Sequence, residues 1–274
     1  MQDTTQTPSA TDDPHAALAA LNERLDALVE QAGPDSWSTA TPAEGWDVGM
    51  QIAHLTWTDE VSLTAITDPD AFRGIVEQAM QNPTGFVDVG AAEIAAGGRE
   101  EVLARWRAAR DGLGRALAAA DPGEQIPWFG PPMRPKSMAT ARIMETWAHG
   151  TDVADALGTT LSGDPAFDGA LPHIARLGVR TRGFAYMMNG LEAPVSEVRV
   201  ELTGADGAVH EFGPADAEQR VTGPLEDFCL LVTQRVHRAD TDLVAVGEDA
   251  EGWLRIAQAF AGLPGGGREE GSRA

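Results

Sequence analysis

The sequence predicts an α-helical bundle over residues 13–189, followed by a smaller α+β domain over 191–264. Three observations carry that reading. Up to residue 188, apolar residues recur at three- and four-residue spacing in segments long enough for a bundle. After Asn189-Gly190 the pattern changes to a period of two, as a half-buried strand requires. Proline, glycine and aspartate fall between these segments, where they cap helices or turn the chain. Residues 1–12 are polar and 265–274 are glycine-rich and charged, so both ends are expected to be disordered.

The elements follow in order. Asp13-Pro14 supplies an N-cap and a proline at the first helical position. Leu18, Leu21, Leu25 and Leu28 form one apolar face, and Gly33-Pro34 ends that helix near Ala32. After the loop SWSTATPAEGW, Asp47 is placed to cap a second helix reaching about Thr67. Asp68-Pro69 restarts the chain into a shorter helix ending near Asn82-Pro83. A fourth helix is expected from about Arg99 to Ala120, with Leu103, Trp106, Leu113 and Leu117 inward. Asp121-Pro122-Gly123 turns out of it, and five prolines within 122–136 make that stretch an ordered loop or lid. Within it, Trp128-Phe129 suits core packing or the cover of a pocket. Ser137 is expected to cap a helix running to Leu157-Gly158, and 165–188 to be helical with an interruption near Pro172. In the second domain Val195 to Leu202 alternates, Ala205-Asp206-Gly207 is a hairpin turn, and Val209 to Phe212 returns. Gln219 to Val221 gives a third strand, Gly223-Pro224 opens a helix to about Arg235, and Ala250 to Ala261 forms the last helix.

The 274 residues carry 43% hydrophobic and 23% charged side chains, an ordinary globular balance, but a net charge of -22. Such a surface repels polyanions, so neither a nucleic acid nor an anionic membrane is expected as a partner. Lys136 is the only lysine among 20 Lys and Arg residues, a bias typical of GC-rich coding sequences such as those of actinobacteria. Cys229 is the only cysteine and sits in an apolar run, which suits a buried small hydrophobe and excludes an internal disulfide. The N-terminal residues lack a signal-peptide pattern, and no stretch approaches the ~20 apolar residues of a membrane span, so the expected location is the cytoplasm.

Of six histidines, two lie in contexts that suit ligation. Glu145 and His149 are four apart on one predicted helix, so their side chains stack on one face. His54 lies on the second helix, and its neighbours at three- and four-residue spacing, including Gln51 and Trp57, point its face inward. Two histidines and a glutamate match the donor set of catalytic zinc, although nickel, iron or manganese also suit it. Taken alone, such a pair also occurs on ordinary helix surfaces, and an inward histidine also occurs as a hydrogen-bonded core residue. Arg142 and Asp152 fall three residues outside this pair on the same side; Asp152 reads equally as a partner orienting His149 or as a surface acid. Arg176 and Arg180, with Arg182, form either an anion clamp for substrate or a solvated basic face. His15, His210 and His237 read as bystanders.

The segments PAEGWDVGMQIAHL and RIMETWAHGTDVADALG resemble the mycothiol-dependent maleylpyruvate isomerase family, within the wider DinB-like group of helical bundles. The resemblance extends over nearly the whole chain. It implies a DinB-like N-terminal bundle that binds zinc through His54, Glu145 and His149. The segment VTGPLEDFCLLVTQR, ending at Arg235, is similar to the sterol-carrier-protein-like domain appended in that family, which carries an important arginine; Arg235 is its best match here. The implied function is zinc-dependent chemistry with a mycothiol-like thiol, as S-transfer or maleylpyruvate-type isomerisation, with Arg235, Asp152 and Arg142 as catalytic candidates. The partners are then a small-molecule substrate and the thiol, with no oligomeric state specified. A metal-dependent hydrolase without thiol, and a non-enzymatic small-molecule carrier, stand as the alternatives.

Overall fold

The computed structural model describes residues 13–262, 264–265 and 267–273; the expected disorder of 1–12 lies outside the described residues. The chain forms two compact units that divide between Leu161 and Ser162.

The first unit contains α1 (Pro14–Ala32), α2 (Val48–Thr67), α3 (Pro69–Gln81), α4 (Phe86–Ala95), α5 (Gly98–Ala119) and α6 (Pro135–Ala156). Asp13, Asp47 and Asp68 accept the backbone amides of His15, Met50 and Ala71, so the three aspartate caps expected from sequence form. α2 is the centre of the unit and packs against α3, α4, α5 and α6. It is therefore buried on most sides, although it carries Gln51, His54, Thr56, Thr58, Asp59 and Ser62 among its buried residues. The hydroxyls resolve that conflict locally. Thr56, Thr58 and Ser62 donate to the carbonyls of Ile52, His54 and Thr58, one turn back, at 2.8, 3.0 and 2.7 Å. Gln51, His54 and Asp59 reach further and take partners from other elements.

The first unit departs from expectation in two places. α4 was not expected, because no side chain caps it and its residues FVDVGAAEIA carry no clear period. Its position comes from docking on α2: a Cβ at Gly90 would stand 2.2 Å from Nε1 of Trp57, whose ring meets Phe86 edge-on at 5.3 Å. α6 starts at Pro135, without a side-chain cap, so Ser137 lies in its first turn instead of capping it. The proline-rich loop before it is closed by reciprocal backbone hydrogen bonds between Ile126 and Met133, at 2.8 and 2.9 Å. Trp128 stacks on Phe72 at 5.8 Å, and Phe129 meets the same ring edge-on.

The second unit contains α7 (Pro165–Arg180), α8 (Arg182–Met188), β1 (Val198–Thr203), β2 (Val209–Phe212), β3 (Gln219–Pro224), α9 (Leu225–Val232), β4 (Val244–Val246) and α10 (Glu248–Leu254). The sheet order is β2-β1-β3-β4. β1 pairs antiparallel with β2 and parallel with β3, and β4 pairs antiparallel with β3.

The sequence placed α7 and α8 in the bundle, but by contact they fall with the sheet. Gly178 shows why. A Cβ there would lie 2.9 Å from Val232 and 3.1 Å from Phe228, so α7 rests directly on α9. α7 runs on through Pro172, and the break falls at Thr181, whose hydroxyl donates to Gln258 O at 2.7 Å. α9 ends earlier than expected, in a Schellman closure: the amides of Gln234 and Arg235 return to Leu231 O and Leu230 O at 3.0 and 2.8 Å. Gln234 takes the left-handed position with φ 61°. β4 is three residues long and gives too little alternation to be read in advance. α10 ends at Leu254, and further along Ala259 N pairs with Val232 O at 2.8 Å. The described tail residues are tied down as well: Arg273 meets Asp227 at 2.7 Å, and Gly271 N meets Asp240 at 2.8 Å.

The α2–α4 contact yields a stability prediction. Gly90→Ala pushes a methyl group into the Trp57 indole and should lower unfolding free energy by about 1–3 kcal/mol in urea titration. Unchanged stability would mean that Trp57 moves aside without loss.

Candidate metal centre

α2 and α6 pack along one another and carry the polar side chains that α2 does not satisfy itself. On α2, Gln51 and His54 are one turn apart; on α6, Glu145 and His149 are one turn apart. The same pair of helices is joined by a buried ion pair, with Arg142 Nε on α6 donating to Asp59 Oδ1 on α2 at 2.9 Å. Both side chains are only 3% exposed. Burial pushes the Asp59 carboxyl up, against the pull of the Arg142 charge and hydrogen bond.

Glu145 Oε2 stands 3.2 Å from His54 Nε2 and 3.4 Å from His149 Nε2. The two imidazole rings are tilted at 46° with centroids 4.4 Å apart. Among the described residues, one donor atom from each of the three side chains lies within 4.8 Å of the others. A tetrahedral ion with ligands at about 2.0–2.1 Å separates those ligands by about 3.3 Å. The two Glu145 edges match that value and the third lies within 4.8 Å, so the donor set suits a small divalent ion. Burial opposes ionisation of Glu145, but hydrogen bonds from His149 and His54 outweigh it and hold the carboxyl well below the usual carboxylate range. An anionic oxygen thus accepts from two imidazole nitrogens, whose protons an ion at this position would replace.

The loop before α2 completes the site. Val48 N and Gly49 N donate to Thr39 O and Trp37 O at 3.1 and 2.9 Å, which ties the loop to the helix start. Gly49 leaves room for this: a Cβ there would meet Trp37 Nε1 at 2.6 Å. The Trp46 ring consequently packs on both imidazoles, with centroids 5.3 Å from His54 and 5.9 Å from His149. Gln51 Oε1 lies 2.5 Å from His149 Nδ1, and Gln51 Nε2 donates to Thr41 Oγ1 at 2.9 Å. Sequence reasoning missed the roles of Trp46, Thr41 and Gln51. For Gln51 a signal existed, since it sits three residues before His54 on the same helical face.

The other expected site residues divide. Arg142, expected on the metal-facing side of its helix, is buried in an ion pair with Asp59 that joins α6 to α2. Asp152 is 2% exposed, which removes the surface-acid reading. Arg176 and Arg180, on α7 in the second unit, are exposed; the Arg176 guanidinium lies 5.8 Å from the Phe212 ring centroid. Arg182 turns to a different partner, donating to Ser196 O at 2.9 Å. Arg235 is half-buried just beyond α9 and donates to Thr233 O at 2.6 Å, beside the C-terminal carbonyls of that helix. Cys229 is fully buried, its thiol donates to Leu171 O at 3.3 Å, and burial pushes its pKa well up, which suits the packing role.

The comparisons with known proteins agree with this architecture. Residues 18–154 match the family described as mycothiol maleylpyruvate isomerase N-terminal domain, and residues 194–246 match the family described as wyosine base formation. The chain belongs to the mycothiol maleylpyruvate isomerase N-terminal domain family. Uncharacterized proteins of two Mycobacterium tuberculosis strains are each 53% identical over 253 residues, covering 92% of this chain and 97% of theirs. A crystal structure of the mycothiol-dependent maleylpyruvate isomerase superposes with a TM-score of 0.53 at 12% identity, covering 89% of this chain and 95% of that one. A histidine-to-alanine mutant of that isomerase gives a TM-score of 0.59 at the same identity and coverage. This likeness establishes a shared fold. Among the described residues, no helix is long and apolar enough to cross a membrane.

The buried ion pair makes a second prediction. Arg142→Ala strands the Asp59 carboxylate in the bundle and should lower stability by about 3–5 kcal/mol. The Asp59→Ala/Arg142→Ala double variant should lose less than the two single losses combined, as read from denaturant midpoints. Additive losses would show that the two groups do not act as a pair.

Proposed function

We propose that this protein is a zinc-dependent enzyme that uses a mycothiol-like thiol for maleylpyruvate-type isomerisation. Transfer of the same thiol to an electrophilic substrate is the variant chemistry. The observation that carries this reading is the tetrahedral-edge spacing of His54, Glu145 and His149, at 3.2 and 3.4 Å, in a chain of this family.

Zinc held by two imidazoles and one carboxylate keeps a position for an outside ligand and stabilises a thiol there as thiolate at neutral pH. The protein's own groups divide the remaining work. Glu145 supplies one negative charge and the histidines none when neutral, so the donor set offsets half the charge of a divalent ion. Trp46 covers one side of both imidazoles and limits water there. Arg142 and Asp59 fix α6 against α2, which holds the distance between donors contributed by different helices.

Protein purified without chelators should contain about one zinc per chain by elemental analysis, and His149→Ala should lose it. Protein that is metal-free and takes up no zinc would overturn the proposal. The cobalt-substituted protein should gain a sulfur-to-metal charge-transfer band on addition of mycothiol. An unchanged spectrum at saturating mycothiol would replace the thiol chemistry with water-based hydrolysis at the same site.

A further inference from the structure

The two histidines of the centre are held in different ways, and the difference follows from one chain of hydrogen bonds. It begins at the carbonyl oxygen of Trp46, which can only accept. Thr41 Oγ1 lies 2.9 Å from it and directs its single hydroxyl proton there. That oxygen can then only accept from Gln51, 2.9 Å away, so the NH2 end of the Gln51 amide must face Thr41. The other end of the amide, Oε1, consequently faces His149 Nδ1 at 2.5 Å and can only accept. Nδ1 must carry a hydrogen in every charge state that preserves this chain. Nε2, which faces Glu145, is then the ring position able to exchange a proton for an ion.

Gln51 is completely buried and Thr41 is 9% exposed, so water does not compete for these groups. His54 has no such arrangement: its Nδ1 is buried without a hydrogen-bond partner among the described residues. The loop supplies both parts of the device. The Trp46 carbonyl anchors the chain while the Trp46 ring packs on both imidazoles.

We propose that Gln51 is a positioning residue that keeps a hydrogen on Nδ1 of His149 and so leaves Nε2 for the ion, and that Thr41 locks Gln51 in the only amide orientation able to do so. The proposal rests on the metal-site reading for its purpose, but the tautomer lock is a property of the metal-free protein. It assigns unequal tasks to the two histidines. His149 is a preset ligand, whereas His54 adapts when an ion arrives.

The test measures the His149 tautomer by long-range ¹H–¹⁵N NMR on metal-free protein, and zinc affinity by chelator competition. Wild type should carry a hydrogen on Nδ1, whether or not Nε2 is also protonated toward Glu145. Gln51→Leu should release the ring toward the Nε2–H form preferred by free histidine and weaken zinc binding by about 10–100-fold. Gln51→Glu should retain the Nδ1–H form, because either carboxylate oxygen accepts. The deciding measurement is Thr41→Val in two backgrounds. With Gln51 present, this variant removes the constraint on amide orientation and should weaken zinc binding. With Gln51→Glu present, it should have little effect, because the two carboxylate oxygens are equivalent.

Equal losses from Thr41→Val in both backgrounds would reduce Thr41 to a packing residue and overturn the relay. A wild-type ring with no hydrogen on Nδ1, or unchanged ring protonation and affinity in Gln51→Leu, would overturn the lock. Failure of wild type to bind zinc would remove the metal reading, while the NMR measurement would still decide whether the lock exists. If Gln51→Leu does not fold, the Gln51→Glu and Thr41→Val series carries the same decision.

Discussion

The first unit is organised by the need to satisfy a polar helix at the centre of a bundle. α2 contacts four other helices, so its polar groups have little access to water. A buried polar group without a partner costs roughly 1–3 kcal/mol, which would quickly exhaust the margin of a domain of this size. Threonine and serine bond within the helix and require nothing from outside. Gln51, His54 and Asp59 cannot be satisfied in that way. Their partners come from α6 and from the loop at 37–47, so the packing of those elements and the formation of the site are one event.

This arrangement explains how the site can be rigid without being made entirely of ligands. The Arg142–Asp59 pair sets the approach of α6 to α2, and the backbone bonds of Val48 and Gly49 set the loop. The ligand atoms are then placed by groups that never touch an ion. Cost accompanies this design. Arg142 Nη2 and Asp59 Oδ2 are buried without hydrogen-bond partners among the described residues, so the pair is incompletely satisfied. Replacement by apolar residues would often be neutral or stabilising at such a position, whereas removal of one charge would not. The charged pair is therefore better understood as a constraint on helix position than as a source of stability.

The second unit follows a different logic. Its contacts depend on shape, as at Gly178, where α7 approaches Phe228 and Val232 too closely for any larger residue. Gln234 occupies a left-handed position that glycine would fill at less cost, and its side chain accepts the amide of Gly265 at 3.1 Å. A glutamine there links the end of α9 to the tail, a contact that glycine could not make.

The sequence by itself determined the helices of the bundle wherever a local signal exists. Asp13, Asp47 and Asp68 cap the starts expected of them, and Leu103, Trp106, Leu113 and Leu117 face inward as their spacing requires. It also brought Glu145 and His149 onto one face, because four-residue spacing is a property of the helix alone. Tertiary structure decided the rest. α4 packs with Gly90 beneath Trp57, and α7 packs with Gly178 against Phe228 and Val232 of α9; both are contacts with residues distant in sequence. Arg142 and Asp152 shared a predicted face with the ligands, but helical spacing fixes only direction, and burial fixed what those side chains could reach. Above all, the placement of His54 beside Glu145, and of Gln51 behind His149, required two helices and a loop to meet. Periodicity records which way a side chain points along its own helix, and only packing determines what stands opposite it.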